Sequence, residues 1–261
     1  MGEHQVLFEP ARTPYDLNFR LFGVEARVRP WFWVMSTVMG WSLVEELGFP
    51  YLLLWVGCVF VSILVHELGH IFMGLVFRSH GYIILYELGG LAVGSNRLPR
   101  HWQRILVSLA GPAAGFAFFG LVWLFARLVN LDEASRPVRA AYLFLKEINL
   151  FWGFLNLLPV WPLDGGQVSR DLLDWVLGSR GTRLAFVISL VTAGVLAINA
   201  LYLHNHEQSI WPLSYIPYLE YAGGIWLAIL FGSLAFTSYQ ALQAESHRYQ
   251  RWDRDDDYWG R

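Results

Sequence analysis

Residues 51–77 read YLLLWVGCVFVSILVHELGHIFMGLVF. The run is long enough to cross a bilayer as a helix, which takes about 20 apolar residues. Yet it carries His66, Glu67 and His70 in its second half. Charged groups at membrane depth are costly, roughly 2.5–3.5 kcal/mol at a helix centre on insertion scales. They persist where they face a protein interior, a cavity or a metal. Residues four apart on a helix lie one turn above each other. His66 and His70 can therefore hold one metal from one face, and Glu67 can take a proton from a water that the metal activates. The plainer reading is a chance match, or two hydrogen-bonded core histidines. The apolar setting weakens it, because buried imidazoles and a buried carboxylate need partners that the neighbouring sequence does not supply.

The whole chain agrees with a membrane reading. Of its 261 residues 55% are apolar and 15% charged, with mean hydropathy +0.38. Soluble domains carry about 25% charged residues. A net charge of −2 offers no electrostatic footprint for nucleic acid. The single cysteine, Cys58, excludes an intrachain disulfide. Without ligand spacing around it, Cys58 reads as a small buried hydrophobe rather than a metal ligand. No basic start followed by an apolar h-region is visible in the first thirty residues, so the first span is expected to act as its own insertion signal.

Working outward, the apolar pattern predicts an all-α polytopic membrane fold with about six spans. They fall at residues 31–44, 51–77, 105–129, 140–158, 184–203 and 218–241. Between the second and third, GYIILYELGGLAVGS at 81–95 alternates and then breaks at Gly89-Gly90, which reads as a short hairpin. Open strands do not face lipid, so this hairpin belongs at the interface or inside the protein. Arginines cluster before the first span and after the second, fourth and sixth, which places both termini in the cytoplasm. The expected organisation is a cytoplasmic arm at 1–29, a membrane-embedded domain at 30–242 and a charged cytoplasmic tail at 243–261. His204 and His206 fall in an exterior loop and read as solvated. Lys146 and Glu147 read as a paired or snorkelling couple near the outer half of the fourth span.

A catalytic zinc takes three protein ligands and keeps one position open. The best third candidate is Asp164, in NLLPVWPLDGG at 156–166. Arginine placement runs the second and fourth spans toward the same side, so the end of the fourth comes to the depth of His66. Pro159 and Pro162 stop the helix, and Asp164 then opens an amphipathic segment. Capping that segment is an equally good reading of Asp164 taken alone.

Three blocks in order, HELGH at 66–70, AGPAAG at 110–115 and NLLPVWPLDGG at 156–166, resemble the site-2 protease family of intramembrane zinc metalloproteases. The hairpin ending in Leu88-Gly89-Gly90 resembles that family too. The resemblance spans about residues 60–180. It implies His66, His70 and Asp164 as zinc (Zn2+) ligands and Glu67 as catalytic base. It implies that Asn156 holds substrate or an oxyanion; Asn149, two turns earlier on the same face, matches a polar position more loosely. It also implies single-span membrane proteins as substrates, the lipid bilayer as the medium and no nucleic acid as partner. Many relatives carry a PDZ or sensing module for which this chain has no room. Substrate choice is then expected to rest with the membrane core, a tail or a separate regulatory or adaptor protein. The residues of AGPAAG read mainly as small groups that let helices approach in lipid.

The expected function is a regulated intramembrane protease of a multi-pass protein, in a bacterial inner (cell) membrane. The alternative is a catalytically silent scaffold of the same family that binds membrane segments; an intact Glu67 argues against it. A metal transporter is a third class, but the fifth and sixth spans offer few polar groups, among them Ser189 and Ser238.

Overall fold

The computed structural model describes residues 10–87, 89–131, 133–206 and 224–259, with side chains described as far as 246. Two compact units divide the chain: residues 1–99 with 110–153, and residues 100–109 with 154–261.

The first unit begins with a hairpin. Strands β1 (Leu17–Leu21) and β2 (Val24–Val28) pair antiparallel, joined by Phe22 and Gly23, both at positive φ (49° and 82°). Two left-handed residues give a turn whose twist matches the flanking strands. Phe19, Leu21, Val24, Ala26 and Val28 pack into the core, while Asn18, Arg20 and Glu25 are exposed. Strand β2 then pairs in parallel with β3 (Tyr82–Tyr86), and β3 pairs antiparallel with β4 (Gly89–Val93). The sheet order is β1-β2-β3-β4, so β4 is an edge. The expected hairpin is therefore present, but as half of a larger sheet, and an all-α fold is corrected to a mostly helical one. Gly89 and Gly90 lie within β4 rather than in its turn.

Pro30 starts α1 (Pro30–Met39), the first-turn position that tolerates its missing N–H. The helix stops at Gly40, where a Cβ would collide with the indole of Trp55. A short α2 (Ser42–Glu46) follows, and Gly48 (φ 95°) ends it. Ten residues of helix rise about 15 Å, half the hydrocarbon core. The first expected span is thus two short helices, and the position between them takes glycine because Trp55 packs against it.

Helix α3 (Phe49–Val76) covers the expected second span. It ends with Arg78 at φ 62°, and the amides of Arg78 and Ser79 donate to the carbonyls of Leu75 and Gly74. That is a Schellman closure with an arginine where glycine is usual. Ser79 Oγ donates to Gly94 O at 2.8 Å, tying the helix end to the end of β4. The core of this unit joins β2 and β3 to α3 and to Ala140, Phe144 and Ile148 of α5 (Arg136–Asn156). Ile83, Ile84 and Leu85 are all fully buried, so β3 is covered on both faces.

The second unit holds the start of α4 (His101–Leu128), then α6 (Asp164–Leu177), α7 (Ser179–His206) and α8 (Ile225–Trp259). Arg104 meets buried Asp171 through Nε (3.0 Å) and a terminal nitrogen (2.9 Å), a two-pronged pair that holds α6 to the start of α4. Among the described residues four helices are long and apolar enough to cross a membrane: α3, α4, α7 and residues 225–246 of α8. This is an integral membrane protein. Helix α5 is the expected fourth span, but its 21 residues include Arg136, Arg139, Lys146 and Glu147. Of the expected sixth span, residues 218–223 lie outside the described residues, as does most of the loop after His206; α8 itself continues beyond 241.

Candidate metal centre

Helix α3 places His66 and His70 one turn apart with their Nε2 atoms 3.2 Å from each other. The rings meet edge to face, with centroids 4.9 Å apart. His66, Glu67 and His70 are all buried. Two nitrogens converging in this way either share one proton or turn their lone pairs on a common cation. The face opposite decides what fits there. On Gly111 of α4 a Cβ would run into His70 Nε2 and lie 2.8 Å from His66 Nε2. The backbone at Gly111 therefore borders the space both imidazoles face, and only a glycine leaves it open. A few residues away Gly69 meets α4 in the same manner, its Cβ position 2.7 Å from Ala114 Cβ and against Ala110 O. The AGPAAG block thus brings α4 onto the histidine-bearing edge of α3.

Glu67 is covered from another side. A Cβ on Gly90 of β4 would strike the Glu67 side chain at Oε1, Cγ and Cδ. The edge strand of the sheet passes directly over the carboxylate. Neighbouring Gly89 (φ 132°) is packed against the indole of Trp152, with a Cβ position 2.7 Å from Cζ2. Tyr86 lies within electrostatic reach as well: burial first, then the charges of Glu67 and Glu87, push its phenol up to about 12. It stays neutral at any ordinary pH. Outside, Arg29 pairs with Glu87 at 3.0 Å, and the Arg29 amide donates to Leu85 O.

Asn149 is buried in the same unit. Its Nδ2 donates to Ser62 Oγ (2.9 Å) and to Leu145 O (2.7 Å), binding α5 to α3. Its Oδ1 lies 3.7 Å from where a Cβ on Gly115 would be. Asn149 can offer an incoming group its carbonyl oxygen only.

In the second unit Asp164 is buried and is the first helical residue of α6. The cap position belongs to Leu163 (φ −57°, ψ 161°), with no side-chain cap bond. The capping reading of Asp164 is thereby displaced. Gly165 and Gly166 follow because a Cβ on either would enter the backbone of residues 157–161. The loop after Asn156, itself buried, folds back over the first turn of α6.

The model of peptidase family M50 matches residues 127–198. Rip3 of Mycobacterium tuberculosis is 30% identical over 218 residues, 76% of this chain and 51% of that protein. A zinc metalloprotease of Methanocaldococcus jannaschii, MJ0392, is 26% identical over 154 residues, 55% of this chain and 43% of that protein. Over residues 127–198 the chain matches peptidase family M50, and the relatives it resembles are zinc metalloproteases. It spans about half the length of the curated relatives it matches. The fold agrees: the solved site-2 protease from Methanocaldococcus jannaschii superposes with TM-score 0.57 at 21% identity, covering 87% of this chain and 95% of that one. The nitrogen pair of α3 is of the type that zinc takes, neutral imidazole at about 2.0–2.1 Å.

Proposed function

We propose that this protein is an intramembrane zinc metalloprotease, hydrolysing peptide bonds in or near transmembrane segments of membrane proteins. One observation carries the reading: two converging imidazoles and a buried carboxylate, Glu67, lie on one turn of a helix long and apolar enough to cross a membrane, with an edge strand laid over the carboxylate. His66, His70 and Asp164 serve as ligands; all three are buried and of ligand type. Zinc, when bound, supplies Lewis acidity for the scissile carbonyl and for water. Glu67 takes the proton from the attacking water and returns it to the leaving amine. Asn156 holds the substrate carbonyl region, and Asn149, two turns earlier on α5, offers its Oδ1 to a substrate N–H. A helical substrate hides its backbone in its own hydrogen bonds and must unwind first. The open edge of β4 receives the unwound stretch by strand addition, which would bring a peptide past Glu67.

Six spans, with α5 and the broken α1–α2 region completing the four apolar helices, put both termini in the cytoplasm of a bacterial inner membrane. Single-span membrane proteins are the substrates, and a separate adaptor protein would confine their choice. A silent scaffold has no chemical use for a base held in this way.

Two results test the ligand set and the base separately. Asp164→Ala should lower zinc affinity on the order of a hundredfold or more, since loss of an outer partner alone costs 10–100-fold. Chelator competition on the purified protein reads this directly, and unchanged affinity removes Asp164 from the set. Gly90→Ala should keep zinc but displace Glu67, cutting cleavage of a reconstituted transmembrane substrate about tenfold or more. Equal turnover in wild type and variant would mean that the strand does not position the carboxylate.

A further inference from the structure

The segment between Asn156 and Asp164 is held by two side chains that the proposed chemistry does not use. Ser189 of α7 and Ser238 of α8 are 1% and 0% exposed. Both lie on helices long and apolar enough to cross a membrane. The Trp161 amide donates to Ser189 Oγ at 2.6 Å. Ser189 Oγ lies 2.7 Å from Ser238 Oγ, and Ser238 Oγ lies 2.8 Å from Leu234 O and 3.3 Å from Trp161 O. The proton order follows from the inventory of each hydroxyl. Ser189 accepts from Trp161, so its own hydrogen goes to Ser238, and the hydrogen of Ser238 goes to the two carbonyls. Both polar ends of the Trp161 residue are thereby engaged by one serine pair. Ser238 could satisfy itself on Leu234 O alone, as serines in apolar helices do. Its reach to Trp161 O and the placement of Ser189 have no such local explanation. The ring of Trp161 is fixed in addition, edge-on to Phe186 at 5.6 Å and under the Arg170 guanidinium at 4.9 Å.

Trp161 is three residues before Asp164. Gly165 and Gly166 seat the first turn of α6 against the backbone of the same loop, so a shift of the loop shifts the start of α6. We infer that Ser189 and Ser238 are positioning residues for Asp164: they fix the Trp161 peptide and so the aim of the carboxylate. The inference rests on the proposed role of Asp164 as a zinc ligand.

The test is zinc affinity of the full chain in detergent, by chelator competition, for Ser189→Ala, Ser238→Ala and the double variant. Each single change should weaken zinc about 10- to 100-fold, the range for outer partners of metal ligands. The double variant should be no weaker than the product of the singles, because the two hydroxyls form one chain. Ser233→Ala, whose hydroxyl is exposed and bonds only within its own helix at Leu230 O, should leave affinity unchanged. Amide hydrogen exchange over residues 157–163 supplies a second reading that survives partial instability: exchange there should quicken in both single variants. A lower melting temperature with intact zinc affinity would overturn the inference, leaving the serines as helix packing. Asp164→Ala separates the two ideas. If it weakens zinc while the serine variants do not, the clamp fails alone. If it leaves zinc unchanged, the ligand reading fails and takes the clamp's purpose with it.

Discussion

Glu67→Gln should abolish peptide hydrolysis while zinc stays bound. The change keeps the length and shape of a side chain only 4% exposed, and it leaves both Nε2 atoms of His66 and His70 untouched. What it removes is a group able to take and return a proton. General acid–base groups contribute about 10²–10⁴-fold, and here one residue is assigned both transfers, so the loss should approach the upper end. Zinc stoichiometry should equal that of wild type, and the variant should still bind a transmembrane substrate. In a membrane proteome, full-length single-span proteins should accumulate in the Glu67→Gln strain relative to wild type. Equal proteomes, with zinc bound in both, would instead favour the silent scaffold. The distinction is sharp because Gly90 packs on the carboxylate from outside and does not depend on its charge.

The membrane core was readable wherever a single element carries the signal. Helix α3 ends within two residues of the apolar run, and its two histidines converge because helical spacing demands it. What failed to be legible was long-range. Residues 31–44 are apolar enough for a span, but the structure ends α1 at Met39, with Gly40 packed against Trp55, a contact 15 residues away that the segment itself does not reveal. The alternation of Phe19, Leu21, Val24, Ala26 and Val28 was present in the arm, interrupted by Phe22-Gly23. Its arginines drew attention as topology markers, and a five-residue strand has too little pattern to stand out without the partner that covers it. Asp164 could be a cap or a ligand from sequence alone; the structure puts Leu163 at the cap position and Asp164 in the first turn of α6, a one-residue shift that sequence does not resolve. Ser189 and Ser238 looked like isolated polar residues in apolar helices, because nothing in their own segments names Trp161 as partner.

Gly111 is the position where a single methyl group should cost most. In a helix interior alanine is favoured over glycine by roughly 1 kcal/mol, so propensity alone predicts that Gly111→Ala stabilises α4. Gly120 on the same helix has nothing within 4 Å of its Cβ position, and there Gly→Ala should behave as propensity says, neutral to slightly stabilising. At Gly111 the methyl would have to share space with His70 Nε2 and Cε1 and stand 2.8 Å from His66 Nε2. Neither ring can retreat cheaply: both are buried on α3, whose Gly69 is already closed against Ala110 and Ala114 of α4. Overpacking of this kind costs about 1–3 kcal/mol, opposite in sign to the propensity term. The collision also falls on the nitrogens proposed to bind metal, so the loss should appear chiefly in zinc affinity. A drop on the order of a hundredfold or more is expected, as for loss of a ligand, with hydrolysis lost in parallel. Chelator competition and thermal melting of Gly111→Ala beside Gly120→Ala separate the two effects on one helix. If Gly111→Ala bound zinc like wild type, the imidazoles would have to hold the metal on some other side, and the assignment of this face would fall.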